Sequence, residues 1–585
     1  MISAGRILKA LAIGLMLAVP AYVVSKVNLF GLESASDRLA DQVYQRITAA
    51  DYGKARQGQN AVRVIYLDET SIEALKGYGW TRFPPTYEQQ WTMLEDLLYA
   101  GGAPPSAMFV DFVYMGQGGA ADGFDTFLAG VAGATHAEVW SDKPACVSDP
   151  LSKIACIIGA GGVPIIFAKP SPADLDLFTD VQQTLDKVSV LAPALVGEEA
   201  YPLITDYGFY RAKAVRLGVH QVDISPAMAM YAAYCLRRAD GCGVNDFQAL
   251  KARAAAALNG HSAPRAPNLA EVFDAPLDVV WGSRPDPDYL ALTKAVSGRP
   301  ANCRSAASGW RARVFEQMAI LRGPGSGAQQ ECPYTLSLGY DRLVGGQGLE
   351  TRDVANLLAG RMVMVGGHFH ASSDWIESPV HGQVPGVQYH AMALDNLIED
   401  GVDYRRNANA MLDSDLLKGF LVFALAVCGV LGVMVRNSLL DEAVAEGVEP
   451  RLRAVVYAPL YTALFATSLG VVALATWLGV AYAHRSPINW IGLSGVVLAF
   501  LFYATRQTLP ADLSGSFEKS RLVRRFIAWR RLYAQALRFE EDRLLRPKPP
   551  PAPKGPAAPP AETEPAAAPA AIADTAEETP AHVQA

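Results

Sequence analysis

Four long apolar runs punctuate the chain, at 8–24, 417–435, 454–483 and 488–504. Each is near or above the ~20 residues that a helix needs to cross a bilayer core. Between the first and second lies a long segment with the patterning of an α/β domain. Val62-Arg63-Val64-Ile65-Tyr66-Leu67-Asp68 reads as a buried strand ending in a carboxylate, followed by a helix start at which Thr70 or Ser71 caps free amides. The amphipathic run 87–100 carries Trp91, Leu94, Leu97 and Leu98 on one face. It predicts a helix lying on a sheet before a second strand, Ala107-Met108-Phe109-Val110-Asp111-Phe112, and the crossover rule makes the two strands parallel. Val163-Pro164-Ile165-Ile166-Phe167-Ala168 fits an interior strand.

A further strand pattern, Gly360-Arg361-Met362-Val363-Met364-Val365-Gly366-Gly367, is followed by Asp374 and Pro379. Val384-Pro385-Gly386-Val387-Gln388-Tyr389-His390-Ala391-Met392-Ala393-Leu394-Asp395-Asn396 comes next. Together they resemble the closing strand, loop and helix of the second-type CHASE domain, an extracytoplasmic sensor of bacterial cyclases and kinases. Gly79-Trp80-Thr81-Arg82-Phe83-Pro84-Pro85 is similar to that family's Trp/Pro/Arg loop, and 222–231 to the helix start after its central hairpin. The resemblance runs discontinuously over about 60–400, and 238–335, rich in Ala, Gly and Pro, reads as an insertion.

What the resemblance implies is an α/β periplasmic sensor domain, with a mixed, largely parallel sheet flanked by helices, plus α-helical membrane segments. The expected organisation is a membrane helix at 1–25, the sensor domain at 26–413 and three membrane helices at 414–505. A basic amphipathic helix follows at 506–546 and a Pro/Ala-rich tail at 547–585, whose composition is that of a disordered segment. A cleaved signal peptide ending near Val19-Pro20-Ala21 is the other reading of the first run; the resembled family keeps it as an anchor. Arg6 and Lys9, then Arg436, Arg451 and Arg453, and finally the Arg-rich stretch from 506 onward mark the inner side. The chain is therefore expected in the bacterial inner membrane, with the large domain periplasmic and the tail cytoplasmic.

Hydrophobic residues make up 51% of the 585 and charged ones 19%, which fits a multi-pass protein better than a wholly soluble one. A net charge of -7 carries no nucleic-acid signature. Of seven cysteines, Cys428 lies in an apolar run and six fall in the segment expected outside: Cys146, Cys156, Cys235, Cys242, Cys303 and Cys332. An even number in an oxidising compartment points to disulfides, and nearest-neighbour pairing is favoured among 15 possible connectivities. Buried free thiols are the alternative.

Chemical candidates are few. Asp68 and Asp111 end what are expected to be neighbouring strands, where open α/β sheets place their ligand crevice. With Trp80, Arg82 and Asp374 they form the candidate ligand-binding set. Paired carboxylates can do acid–base work, but helix capping or pairing with Arg82 outweighs it. His368 and His370 beside Asp374 and Glu377 could hold zinc or copper; no catalytic metal spacing accompanies them, so a polar loop is favoured and no metal or cofactor is expected. Gly116-Gln117-Gly118-Gly119 lacks the Lys of a phosphate loop and reads as a surface turn.

Leu522, Phe526, Trp529 and Tyr533 recur at helical spacing in a segment that resembles the linker helix to the family's output domains. They could pair with another chain or lie on the lipid surface. No cyclase or kinase pattern follows, so the expectation is a sensor without enzymatic output, coupling an envelope signal through membrane partners or a second copy of itself. A structural scaffold in an envelope assembly is the rival reading.

Overall fold

The structure, a computed structural model, describes residues 32–80, 85–99, 102–113, 123–169, 180–193, 206–207, 210–213, 221–297, 332–344, 356–369 and 374–406, with a few single positions such as Cys303. The four apolar runs, the loop 81–84 with Arg82, the 116–119 turn, His370 and the helix with Leu522, Phe526, Trp529 and Tyr533 lie outside the described residues, apart from a few single positions in the runs. Among those described, no helix is long and apolar enough to cross a membrane.

Twelve strands occur in the described residues. They are β1 (Val62–Leu67), β2 (Ala107–Asp111), β3 (Ile165–Lys169), β4 (Val190–Pro193), β5 (Asp206–Tyr207), β6 (Tyr210–Lys213), β7 (Gln221–Ile224), β8 (Leu277–Asp278), β9 (Leu336–Gly339), β10 (Met362–Gly367), β11 (Trp375–Ser378) and β12 (Gly382–Pro385). Six of them form the central sheet in the order β4-β3-β2-β10-β1-β9, and all its pairings are parallel. Parallel strands covered on both faces need apolar residues at nearly every position. β10, Met-Val-Met-Val, and β2, Ala-Met-Phe-Val, meet that demand and are buried throughout those positions.

Alternation in β1 divides the core. Val62 and Val64 face one layer, while Ile65 and Leu67 face the other. The first layer holds helices Pro150–Gly159, Pro226–Arg237, Asn245–Leu258 and the closing helix Gly386–Asp400; the second holds Tyr87–Tyr99, Phe124–Thr135 and Asp180–Val188. The helix expected over 87–100 is present and buries Leu94, Leu97 and Leu98. Trp91 instead turns to the neighbouring helix, where Gly130 makes room: a Cβ there would sit 2.3 Å from the indole. The helix start read in 222–231 is also present, with Ser225 Oγ accepting from the Met228 amide at 3.3 Å and Pro226 in the first turn.

One expectation is corrected by the sheet order. β1 and β2 are parallel but are not neighbours, because β10 is inserted between them. Asp68 and Asp111 therefore do not end adjacent strands.

The stretch after 238 is woven into the body. Helix Asn245–Leu258 packs on Pro150–Gly159, and Val279 and Trp281 lie in the core. Asp278 makes an ion pair with Arg405 at 2.6 Å, and Arg405 also reaches Asp41 at 3.1 Å. Asp41 belongs to the leading helix, Leu32–Thr48. This clasp joins the point where the chain enters the domain to the point where it leaves.

Three disulfides close local loops: Cys146–Cys156, Cys235–Cys242 and Cys303–Cys332, with Cα separations of 5.7, 5.1 and 4.9 Å. The first lies wholly in the core. Replacing both Cys146 and Cys156 by Ser should lower the unfolding free energy by about 2–4 kcal/mol. Urea titration of the variant against the oxidised protein checks this, and coincident curves would remove the bond from the stability of the domain.

Candidate functional site

The strand order brings three chain segments to one rim: the ends of β1, β10 and β2. Asp68, after β1, is committed to capping. Its Oδ1 accepts from the Ser71 amide at 2.6 Å and its carbonyl accepts from the Ile72 amide at 3.0 Å, starting helix Glu69–Ala74. Trp80 is also withdrawn from the rim: it is buried in the second layer with its ring 5.8 Å from Tyr340. Both have a role in the fold.

Asp111 and Asp374 do come together. Asp111 ends β2, and Asp374 precedes β11 beside the first turn of the closing helix. Gly386 donates to the Asp374 carbonyl at 3.0 Å, and its lack of a side chain is required, because a Cβ would lie 2.2 Å from Asp374 Oδ1. Burial pushes the Asp111 carboxyl well above the usual carboxylate range, and the neighbouring Asp374 adds to this. Asp374 is raised to about 6, chiefly by desolvation, with the Gly386 amide opposing; the residue is nevertheless exposed at the surface, and solvent there tempers the effect. His390, on the closing helix, places Nε2 4.0 Å from Asp111 Oδ2, and its ring meets Phe109 edge-on at 5.3 Å.

His368 follows β10 and donates its amide to the Leu67 carbonyl at 2.7 Å. Its ring sits between Tyr66 at 5.1 Å and Trp375 at 5.2 Å. Among the described residues, no group of three or more His, Cys, Asp or Glu is arranged to hold a metal ion.

Next to His368 opens a cavity of about 260 Å³. Tyr66, Ser337 and Gln388 line one side; Trp281, Tyr334 and His381 are on its wall as well. Gln388 donates from Nε2 to Tyr66 Oη and Ser337 Oγ, each at 2.5 Å, so β1, β9 and the closing helix are tied at this point. His381 shares a hydrogen bond of 2.7 Å between Nε2 and the Gly282 carbonyl, which assigns the ring proton to Nε2. Burial lowers the His381 pKa and keeps the imidazole neutral; the Gly282 carbonyl acts in the opposite sense. Trp281 packs edge-on against that ring at 6.1 Å.

Of the residues around this cavity, the sequence pattern offers the histidines His368 and His381 as chemical candidates and Cys303 as a disulfide partner; Tyr66, Val384, Pro385, Gln388 and Met392 enter it only as parts of strand and helix runs. Tyr66 carried one usable signal, a polar tip at an otherwise apolar strand position. Trp281 carried none, since it stands in a stretch without periodicity.

Comparison with curated proteins and with solved structures gives no match. A family model does match: the CHASE2 domain, over residues 14–432. The match takes in the sheet, the clasp and the cavity alike and spans most of the chain, which belongs to the CHASE2 family of extracytoplasmic sensor domains.

Proposed function

We propose that this chain is a bacterial inner-membrane receptor whose CHASE2 domain senses a periplasmic signal and passes it to the cytoplasm through partner proteins. The observation that carries this reading is the clasp of Asp41, Arg405 and Asp278. Asp41 lies shortly after the apolar run at 8–24, and Arg405 shortly before the run at 417–435. A change in the domain that shifts either group moves both connections together, which is the mechanical requirement of a transmembrane receptor. The runs at 8–24, 417–435, 454–483 and 488–504 anchor the chain. The helix with Leu522, Phe526, Trp529 and Tyr533 meets another membrane-associated chain or a second copy, and no enzymatic step is assigned to the protein itself.

Reporter fusions should place residue 300 outside the cytoplasm and residues 445 and 560 inside. A cytoplasmic signal at 300 overturns the topology. The double substitution Phe526→Ala, Trp529→Ala should abolish recovery of co-purifying membrane proteins while leaving insertion unchanged. If every partner is still recovered, the tail is not the coupling element, and a scaffold role centred on the periplasmic domain takes its place.

A further inference from the structure

Of the six cysteines in the three disulfides, Cys146, Cys156, Cys235 and Cys332 are buried, while Cys242 and Cys303 are partly exposed. Cys242 stands out by its backbone as well. Gly241, Cys242 and Gly243 follow one another in the left-handed region, with φ of 59°, 57° and 72°. Glycine enters that region freely, whereas a side chain there crowds the following carbonyl, at a cost that shifts an equilibrium roughly 5–30-fold. Cys242 is held in this turn by its bond to Cys235, in the last turn of helix Pro226–Arg237. The side-chain contacts that brace the turn are exposed: Arg238 pairs with Asp240 at 3.1 Å, Gln248 Nε2 donates to the Ala239 carbonyl at 2.7 Å, and Lys251 donates to the Arg238 carbonyl. Exposed contacts of this kind contribute little, so the disulfide is the strongest restraint on the left-handed path.

The helix that carries Cys235 also reaches the point where the chain leaves the domain. One turn before Cys235, Tyr231 meets both Phe247 and Phe273 edge-on, each at 5.9 Å. Phe273 stacks on Tyr404, again at 5.9 Å, and Tyr404 immediately precedes Arg405 of the clasp. The Tyr231 hydroxyl also approaches the end of the closing helix, 3.6 Å from where a Cβ on Gly401 would stand. All four rings belong to one buried cluster. A close-packed core transmits a displacement rather than absorbing it. A shift in the last turn at Cys235 therefore bears, through Tyr231, on the clasp.

We infer that the Cys235–Cys242 bond is a redox-sensitive site, opened and reclosed by thiol–disulfide exchange with a dithiol protein, and that its state biases the clasp of Asp41, Arg405 and Asp278. A thiolate of the dithiol attacks Cys242 Sγ, the bond to Cys235 breaks, and Cys235 leaves as a thiolate that takes up a proton. The second thiol of the dithiol then attacks the mixed disulfide, which frees Cys242 as a thiol and leaves the reductant as its own disulfide. Two electrons and two protons pass to the protein, and the oxidised partner runs the same steps in reverse. The inference rests on the receptor reading above, which puts the bond in a compartment where disulfides persist, and it gives that receptor a class of signal.

The test equilibrates the full chain in detergent with graded ratios of reduced to oxidised dithiothreitol, traps thiols with iodoacetamide and locates them by peptide mass mapping. Cys235 and Cys242 should be half reduced at a ratio at least about tenfold lower than Cys146 and Cys156, equivalent to about 30 mV. Gly243→Ala adds strain inside the loop, at φ 72° with nothing in the way of a Cβ, and should lower that ratio about fivefold further. Gly260→Ala, at φ 71° and equally open but outside the loop, should leave it unchanged. Hydrogen–deuterium exchange then compares the oxidised protein with the form reduced at this bond alone and with the Cys235→Ser, Cys242→Ser variant. Both opened forms should exchange faster at 238–248 and at 401–406, and circular dichroism confirms that they are folded. Opening of Cys235–Cys242 together with or after Cys146–Cys156, an equal effect of the two glycine substitutions, or unchanged exchange at 401–406 in both opened forms would overturn the inference. Because these readouts need neither topology nor partners, a protein that inserts and couples as proposed yet fails them loses the redox signal alone.

Discussion

Arg405→Ala is expected to destabilise the domain by about 3–5 kcal/mol, the usual result of removing one partner from a buried ion pair. Arg405 is the cation for two carboxylates at once, Asp41 at 3.1 Å and Asp278 at 2.6 Å, and all three side chains are largely shielded from water. Its removal leaves two buried negative charges facing each other. Burial already raises the Asp41 pKa, and Arg405 is the chief force opposing that rise. Without the guanidinium, Asp41 takes up a proton or draws in water. Arg406, one residue on, provides the control: its contact with Asp274 is 3.8 Å long and half exposed, so Arg406→Ala should change stability by less than about 1 kcal/mol. Urea unfolding of the two variants side by side measures the difference. Equal midpoints would mean that the clasp contributes nothing to holding the two connections together.

The second large effect is on pH. Asp111, Asp374 and Asp395 all have raised pKa values. Asp395 is wholly buried in the closing helix, where desolvation dominates and the Tyr52 hydroxyl, donating to Oδ1 at 2.6 Å, only partly compensates. A raised carboxylate pKa means that the folded protein holds its proton where the unfolded chain has lost it. The stability these three groups contribute is therefore fully present below about pH 4 and is lost as pH rises through their folded-state values, about 6 for Asp374 and well above the ordinary carboxylate range for Asp111 and Asp395. Solvent at the edge of Asp374 screens its share to on the order of 1 kcal/mol. Asp395→Asn retains an acceptor for Tyr52 and removes the buried charge, so it should raise the melting temperature at pH 8 and leave it unchanged or lower at pH 4. A melting temperature that climbs steadily from pH 4 to 8 in the parent protein would contradict this account.

The elements that could be read from the sequence are those whose environment is uniform. β1, β2 and β10 are buried on both faces, so their apolar runs stand out. The Thr and Ser after β1 marked the helix start correctly, but the cap expected of Thr70 or Ser71 belongs to Asp68, whose carboxylate takes the Ser71 amide. The order of the strands left no such mark, since nothing in a run of Val and Met records which strand lies beside it. Placing Asp68 next to Asp111 failed for that reason, whereas it is β10, the strand that precedes Asp374 in the chain, that lies beside β2. The cavity residues were hidden for another reason. Trp281 and Gln388 come from segments more than 100 residues apart, and each has a bland local context. Nothing near Arg405 in the sequence names its partners; the fold supplies the two carboxylates, from positions more than 100 residues away.

The position of β10 also governs how the molecule comes into being. Val62 pairs with Met362, so the strand that completes the middle of the sheet is made about 300 residues after the one it joins. At ribosomal speeds of roughly 5–20 residues per second, β1 waits on the order of 15–60 s for its neighbour. During that interval β1 and β2 have unpaired edges and apolar faces. Long-range closure of this kind is slow and exposes the nascent chain to aggregation. Until residue 367 has emerged, these strands stay open to pairing with the wrong partner.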